Sequence, residues 1–316
     1  MHLAVYLPLM IPVLAALGAR PLASRLPPAV ATWLLAGSAL ALAVASSAML
    51  GLLAMTAIDR VPLIDGLGHM SARIMAEDDP ASLPVAIAAG AVLAAVAAAA
   101  CRAVYRRGSA LLAAGRQASR LPGAGDVVVT DDDRADAYTL PGWPCRIVIT
   151  AGMLRALTHT ERQVLLAHER AHAGRRHYVF TSLARLAAAA NPLLRPVAAE
   201  VGFTVERWAD EDAADVMGDR SLTARAIARA ALATSAAPPA RDATGALGIL
   251  GGRLSMRGAG PVPRRVAALL RPAPRPSLVL LGAALLLVAV SGASALEAAR
   301  NLHQLIELAQ AGAIHR

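Results

Sequence analysis

The sequence predicts a mainly α membrane protein with four transmembrane helices and a cytoplasmic α+β domain between helices 3 and 4. The composition is the first reason, because 56% of the 316 residues are hydrophobic and only 17% are charged, which is unusual for a soluble domain. The second reason is a set of four apolar stretches without a charged residue, each close to the length that crosses a bilayer core. The third is a more polar region between the last two stretches, which contains both strand-like and helix-like patterns.

The four apolar stretches define the expected membrane region. They cover residues of about 3–19, 29–56, 83–101 and 277–296. We therefore expect three spans within residues 1–104, a fourth at 277–296, and a short tail outside the cell at 297–316. For any single alanine-rich stretch, the alternative is a helix buried in protein. The first stretch contains Pro8 and Pro12 but lacks the basic residues that begin a signal peptide, so we interpret it as a span.

The placement of arginine predicts the orientation, since the chain contains no lysine. Arginines follow the first and third stretches and precede the fourth, whereas the loop between the second and third carries five acids against two arginines. By the positive-inside rule, both termini lie outside and the region between the last two spans is cytoplasmic, in a multi-pass protein of the cell membrane. The net charge of +9 reflects these arginines and no DNA-binding motif is present, so we expect the lipid bilayer as a partner and no direct contact with nucleic acid. Abundant alanine and arginine without lysine also favour a bacterium with a GC-rich genome.

The cytoplasmic region begins with a small sheet. Two short runs of β-branched residues, 127–130 and 146–150, are separated by acids and turn residues and therefore predict two strands. Such a strand either pairs with an extended substrate or is merely structural, and the sequence leaves both alternatives open. Residues 183–199 are apolar but interrupted by Asn191-Pro192, which predicts a helix pair near the membrane surface. Residues 244–260 are rich in glycine and predict a loop or flexible flap.

A His-Glu-x-x-His pattern lies on a predicted helix from Thr158 to about Arg176. Thr158 and Glu161 have the spacing of a capping box, which supports the start of that helix. Positions four apart share one face of a helix, so His168 and His172 can bind one Zn²⁺ while Glu169 faces a water on the metal. The alternative is a helix with two surface histidines. A third ligand elsewhere in the chain is needed to favour the metal site.

A later acidic segment offers that third ligand. Glu206 and Asp210 are four apart on a probable helix, which would let Glu206 bind the metal while Asp210 accepts a hydrogen bond from a ligand histidine. The same spacing recurs at Glu211 and Asp215, so Glu211 is an alternative ligand. Acidic runs on helices usually face solvent, and only one of these carboxylates needs to bind metal.

Two neighbouring histidines have other interpretations. His177 is expected to be a helix-end residue or a group that supports a ligand, with metal binding as the alternative. His159 precedes the helix and is expected to face solvent. The metzincin pattern requires a third histidine six residues after the second, and Tyr178 stands there instead.

Together, the helix that follows Leu157-Thr158, the Asn191-Pro192-Leu193 triplet and the segment from Glu206 to Asp210 resemble the M56 membrane zinc metallopeptidases. That family includes the beta-lactam sensor-transducers of the BlaR and MecR type, and the resemblance covers residues 136 to about 270. It implies a zincin-like (gluzincin) domain at 105–276. The chain is more distantly similar to the M48 peptidases. Three spans before this domain and one after it favour M56.

The resemblance also implies the roles of the site residues. By position, it assigns one Zn²⁺ per chain to His168, His172 and Glu206, the general base to Glu169, and the support of a ligand to Asp210. Glu206 is preferred over Glu211 because its register keeps Ala213 three residues beyond the aspartate, whereas the Glu211 register has Gly218 there.

The implied function is hydrolysis of peptide bonds in a cytoplasmic or membrane-proximal protein, in regulated proteolysis. The substrate would be a BlaI-type transcriptional repressor or the protein itself. Only about 20 residues follow the last span, so we expect no covalent penicillin-binding domain. Two alternatives remain open: a membrane signal transducer whose metal site is mainly structural, and an HtpX-like quality-control protease that acts on misfolded membrane proteins.

Overall fold

A computed structural model describes residues 2–58, 83–123, 125–143, 145–236, 254–255 and 262–314. Four long helices frame the chain: α1 (His2–Arg25), α2 (Pro28–Ile58), α3 (Leu83–Arg120) and α10 (Leu278–Ile314). Within the described residues, three segments are long and apolar enough to cross a membrane: Pro28–Ala54, Leu83–Arg120 and Leu278–Glu297. These apolar helices indicate a membrane protein, with three candidate spans in the part of the chain that the structure describes.

The first of the four expected spans, residues 3–19, is not confirmed. Residues 3–19 are helical and belong to α1, but α1 is not among the three candidates. Its apolar run contains Pro8 and Pro12 and is followed by Arg20. The acidic loop expected on the outside lies almost wholly in residues 59–82, outside the described part of the chain.

The region between α3 and α10 contains short strands and further helices. Its strands are β1 (Val127–Thr130), β2 (Ala137–Leu140), β3 (Arg146–Thr150) and β4 (Leu254–Ser255). Its helices are α4 (Ala151–Ala156), α5 (His159–Gly174), α6 (His177–Ala190), α7 (Arg195–Met217), α8 (Arg220–Ala236) and α9 (Val262–Leu269), with a 3-10 turn at Pro192–Leu194. Residues 183–199 thus form the expected helix pair, because α6 ends at Asn191-Pro192 and α7 begins after the turn.

The four strands form one sheet in the order β1-β3-β2-β4. The two predicted strands are present as β1 and β3 and run parallel, while β2 lies antiparallel to β3 and β4. The sequence did not predict β2, since its four residues lie in a segment of acids and turn residues that resembles a connection. Of the expected flap at 244–260, only Leu254–Ser255 is described, and it pairs with β2.

Helix α5 begins as predicted. The Thr158 hydroxyl accepts a hydrogen bond from the Glu161 amide, and the Glu161 carboxylate accepts one from the Thr158 amide at 2.9 Å. This capping box satisfies two amides of the first turn. The other end of α5 leads through Arg176, which has a left-handed backbone conformation (φ 51°), into α6. That sharp reversal places the first residue of α6, His177, beside the last turn of α5.

The membrane helices and the helices of the inserted region share one apolar core. Side chains of α1 and α2 pack with Phe180 of α6 and with Leu194, Val197 and Val201 around the start of α7. Buried polar contacts join the same elements: the Thr32 hydroxyl donates to the Thr204 hydroxyl at 2.9 Å. Helix α7 is therefore held against α2 along one side while its other side packs on α5.

Candidate metal centre

The crossing of α5 and α7 brings together two imidazoles and one carboxylate. The Nε2 atoms of His168 and His172 lie 3.1 Å apart, and each lies 3.6 Å from a different carboxylate oxygen of Glu206. All three side chains are buried. Among the described residues, this is the group of histidine, cysteine or acidic side chains close enough to hold one metal ion.

The separations of these atoms fit a zinc ion. Two ligand atoms of a tetrahedral zinc, each at about 2.0–2.1 Å from the metal, lie about 3.3 Å apart. The observed separations of 3.1 and 3.6 Å bracket that value. Two imidazoles and one carboxylate also form the three-ligand set of catalytic zinc sites, which leaves one position for water or substrate.

Glu211, the alternative third ligand, lies away from the two histidines. Glu211 is ion-paired with Arg220 at the start of α8, and both of its carboxylate oxygens accept hydrogen bonds from that guanidinium. Five residues correspond to about 500° of helical rotation, so Glu206 and Glu211 face different sides of α7. The structure therefore brings Glu206, and not Glu211, to the two histidines.

Glu169 lies between the histidine pair and the sheet. Its Oε2 atom accepts a hydrogen bond of 2.9 Å from the Thr139 hydroxyl of β2, and its backbone carbonyl accepts one from the same hydroxyl at 3.1 Å. The Oε1 atom is buried and has no hydrogen-bond partner in the part of the chain that is described. Burial raises the pKa of Glu169, an effect only partly offset by the charges of His172 and His168. A buried carboxylate with a raised pKa and one unused oxygen is suited to accept a proton.

Asp210 and Arg265 form a second layer behind the ligands. Asp210 Oδ1 lies 3.0 Å from Nδ1 of His168, which orients the ring so that Nε2 points toward Glu206. Arg265 of α9 is completely buried; its Nε contacts Asp210 Oδ2 at 2.7 Å, and its Nη1 contacts Glu206 Oε2 at 3.0 Å. One guanidinium thus contacts the carboxylates of both Asp210 and Glu206.

These charges explain how the buried carboxylates stay ionised. Burial by itself raises the pKa of Asp210, but the charge and hydrogen bonds of Arg265 outweigh it and hold that pKa below its usual value. Burial opposes ionisation of Glu206 as well, and the charges of His172 and Arg265 keep its pKa well below the usual value. For His168, burial lowers the pKa, but hydrogen bonding to Asp210 and Glu206 outweighs burial and raises it to about 9. The charge of the buried Asp210 carboxylate is therefore balanced by those of Arg265 and His168.

His177 contacts a ligand but is not part of the metal-binding group. Its Nδ1 lies 2.9 Å from Nδ1 of His172, and its ring packs against Trp208 with 5.0 Å between the centroids. Burial lowers the pKa of His177 to about 2, and the charge of His172 adds to that effect, so the ring is neutral. His177 is the first residue of α6, so it lies at a helix end as expected, and its supporting role stays a prediction. The exposed His159 contacts Gln163 on the first turns of α5.

Sequence reasoning missed two residues of this site, Thr139 and Arg265. In the sequence, Arg265 is one of the arginines that precede the last span, and nothing in its local pattern distinguishes it from Arg264. Thr139 lies on the strand that was not predicted. Both reach the site through tertiary packing, so only the fold could reveal them.

Comparison with known proteins identifies one family. The family model described as Peptidase family M48 matches residues 101–273, a range that contains the histidines, Glu206 and Arg265. No curated protein and no solved structure matches the chain. The match is to the family that the sequence motifs resembled more distantly, and membership of M56 is not confirmed.

Proposed function

Because this chain belongs to peptidase family M48 and is a membrane-associated metallopeptidase, we propose that it is a zinc-dependent endopeptidase. Its substrates would be proteins in the membrane or close to its cytoplasmic face. The observation that carries the proposal is the buried group of His168, His172 and Glu206 with the unpaired oxygen of Glu169 beside it.

Each residue of the site has a distinct role in this proposal. His168, His172 and Glu206 would hold one Zn²⁺, which when bound lowers the pKa of a water ligand and polarises the scissile carbonyl. Glu169 would accept the proton of that water and deliver it to the leaving amine, while Thr139 holds the carboxylate in place. The role of Glu169 thus requires a free oxygen and no direct bond to the metal.

Extended substrates would be recognised through their backbone. The edge of β2 already pairs with the two-residue strand β4, through Tyr138 with Ser255 and Thr139 with Leu254. Thr139 contacts Glu169, so a peptide that took the place of the short strand β4 on β2 would lie beside the proposed general base. Such recognition depends little on side-chain identity and is suited to many unfolded substrates.

The family match favours one of the three functional alternatives. M48 membership is compatible with an HtpX-like quality-control protease, whereas it gives no support to a role in signal transduction. We therefore propose cleavage of misfolded or membrane-proximal proteins as the principal activity. If the protein instead cleaved a BlaI-type repressor or itself, a cleavage experiment would show one dominant substrate.

The experiment that tests this function compares the wild type with Glu169→Gln. Both proteins are purified in detergent, their zinc content is measured, and their cleavage of a set of unfolded and folded proteins is compared. Because Glu169 transfers a proton and does not bind the metal, the variant should retain about one zinc per chain while turnover falls by roughly 10²- to 10⁴-fold. Equal turnover in both proteins would show that the assigned chemistry is wrong.

A further inference from the structure

A cavity of about 650 Å³ opens between α3, α6 and α7. Four arginines line it: Arg102, Arg106, Arg185 and Arg195. The remaining lining residues are alanines, a glycine, a proline and a threonine, and no carboxylate is among them. Small side chains leave the space open, and the guanidinium groups surround it.

The cavity lies where a membrane-spanning helix leaves the hydrocarbon. The apolar part of α3 ends at Cys101, and a helix rises by about 1.5 Å per residue, so Arg102 and Arg106 lie about 2 and 8 Å beyond that end. The headgroup layer of a bilayer occupies about this depth on each side of the apolar core. The arginines of the cavity are therefore at the level of lipid phosphates.

The electrostatics of the cavity favour an anion with several oxygen atoms. All four arginine side chains are exposed to solvent, and guanidinium groups bind phosphate through paired N–H donors. Arg195 begins α7, whose first turn contains no acidic residue and whose N-cap residue makes no side-chain hydrogen bond. The positive end of that helix dipole adds to the attraction for an anion.

The surface above the cavity favours a lipid over a free phosphate ion. Val85, Val92 and Ala99 follow one another along α3 at intervals of seven residues. Ala99 lines the cavity, so the two valines lie on the same face of the helix. Val85 is 39% exposed and Val92 is 49% exposed. Acyl chains could cover this apolar stripe while the headgroup occupies the cavity below it.

We propose that this cavity binds the phosphate headgroup of an anionic phospholipid from the cytoplasmic leaflet. Basic pockets between membrane helices on the cytoplasmic side are suited to such headgroups. The proposal does not depend on the peptidase activity. Occupation would hold α3 against α6, which already accepts a hydrogen bond at the Thr181 carbonyl from Arg107.

The test measures lipid binding by the full-length protein in nanodiscs. Native mass spectrometry counts the phosphatidylglycerol molecules retained by the wild type and by the double variant Arg102→Gln/Arg195→Gln. A control with the same change in charge, Arg116→Gln/Arg225→Gln, alters exposed arginines outside the cavity. A third variant, Ala199→Trp, fills the cavity without changing its charge.

The proposal predicts different results for the variants. An arginine near the membrane surface contributes roughly fivefold to the binding of an anionic lipid, so the cavity double variant should bind about 30-fold more weakly. Ala199→Trp should also lose the retained lipid, whereas the charge control should keep it. Equal loss in the cavity and control variants would overturn the proposal.

The same preparation distinguishes a lipid from a free anion. In nanodiscs made only of zwitterionic lipid, added inorganic phosphate should not bind measurably at the cavity, because it lacks the apolar contacts along α3. If phosphate alone bound as tightly as phosphatidylglycerol, and only when the four arginines were intact, the assignment to a lipid would be wrong. An unchanged circular-dichroism spectrum in every variant shows that the proteins are folded.

Discussion

Replacement of Arg265 tests whether the charge network behind the ligands determines the stability of the domain. In Arg265→Met the side chain keeps much of its volume but loses its charge, which leaves Asp210 and Glu206 buried without their guanidinium partner. Removal of one partner from a buried ion pair destabilises a protein by about 3–5 kcal/mol. Because Arg265 is completely buried, solvent cannot compensate for the loss.

The adjacent residue provides a matched control. Arg264 is on the same short helix and pairs with Glu200, but its side chain is 24% exposed and that of Glu200 is 14% exposed. The guanidinium carbon of Arg264 also lies over the ring of Phe203, 3.8 Å from the ring centroid. A partly exposed ion pair with such a contact contributes about 1 kcal/mol, so Arg264→Met should have a much smaller effect.

The assay is denaturant unfolding of the two variants and the wild type in detergent. The expected loss in the free energy of unfolding is about 3–5 kcal/mol for Arg265→Met and about 1 kcal/mol for Arg264→Met. The midpoint should move while the slope with denaturant stays the same. Equal losses in both variants would refute the reasoning, since they would mean that Arg265 contributes no more than a surface arginine.

Two further predictions concern packing and orientation. Gly152→Ala should lower the melting temperature, because the added Cβ would collide with the Asp133 carbonyl oxygen. Gly174→Ala is the control and should leave the melting temperature unchanged, since no atom lies within 4 Å of the added Cβ. Equal melting temperatures in the two variants would show that Gly152 is not in close contact with Asp133. In a background without Cys101 and Cys145, Ser71→Cys should react with an impermeant thiol reagent in intact cells, and Ser119→Cys should react only after permeabilisation. The reverse labelling would place the metal centre outside the cytoplasm.

The parts of the fold set by local interactions were predictable from the sequence. The capping box at Thr158 and Glu161 specifies the start of α5, and Asn191-Pro192 ends α6 because proline cannot continue a helix. The i, i+4 spacing that places the two histidines on one face is likewise a local property. These elements are therefore present with nearly the expected bounds.

Features that depend on tertiary contacts were not predictable. Strand β2 is only four residues long, lies between acids and turn residues, and is stabilised by its neighbours on both sides. Arg265 lies 55 positions after Asp210, and a basic residue before a membrane span is ordinarily a solvated flank. The preference for M56 depended on a count of three spans before the domain, and the first of those is interrupted by prolines.

The measurement that tests the central claim most directly is the zinc content of Glu206→Ala and Glu211→Ala, with the wild type and Asp210→Ala beside them. The account predicts about one zinc per chain in the wild type and in Glu211→Ala, and loss of zinc and of activity in Glu206→Ala. Asp210→Ala should retain zinc but bind it about 10- to 100-fold more weakly, because it only misorients a ligand. Loss of zinc in Glu211→Ala with retention in Glu206→Ala would contradict the assigned register. Retention in both would mean that the third ligand comes from elsewhere, with His177 the next residue to test.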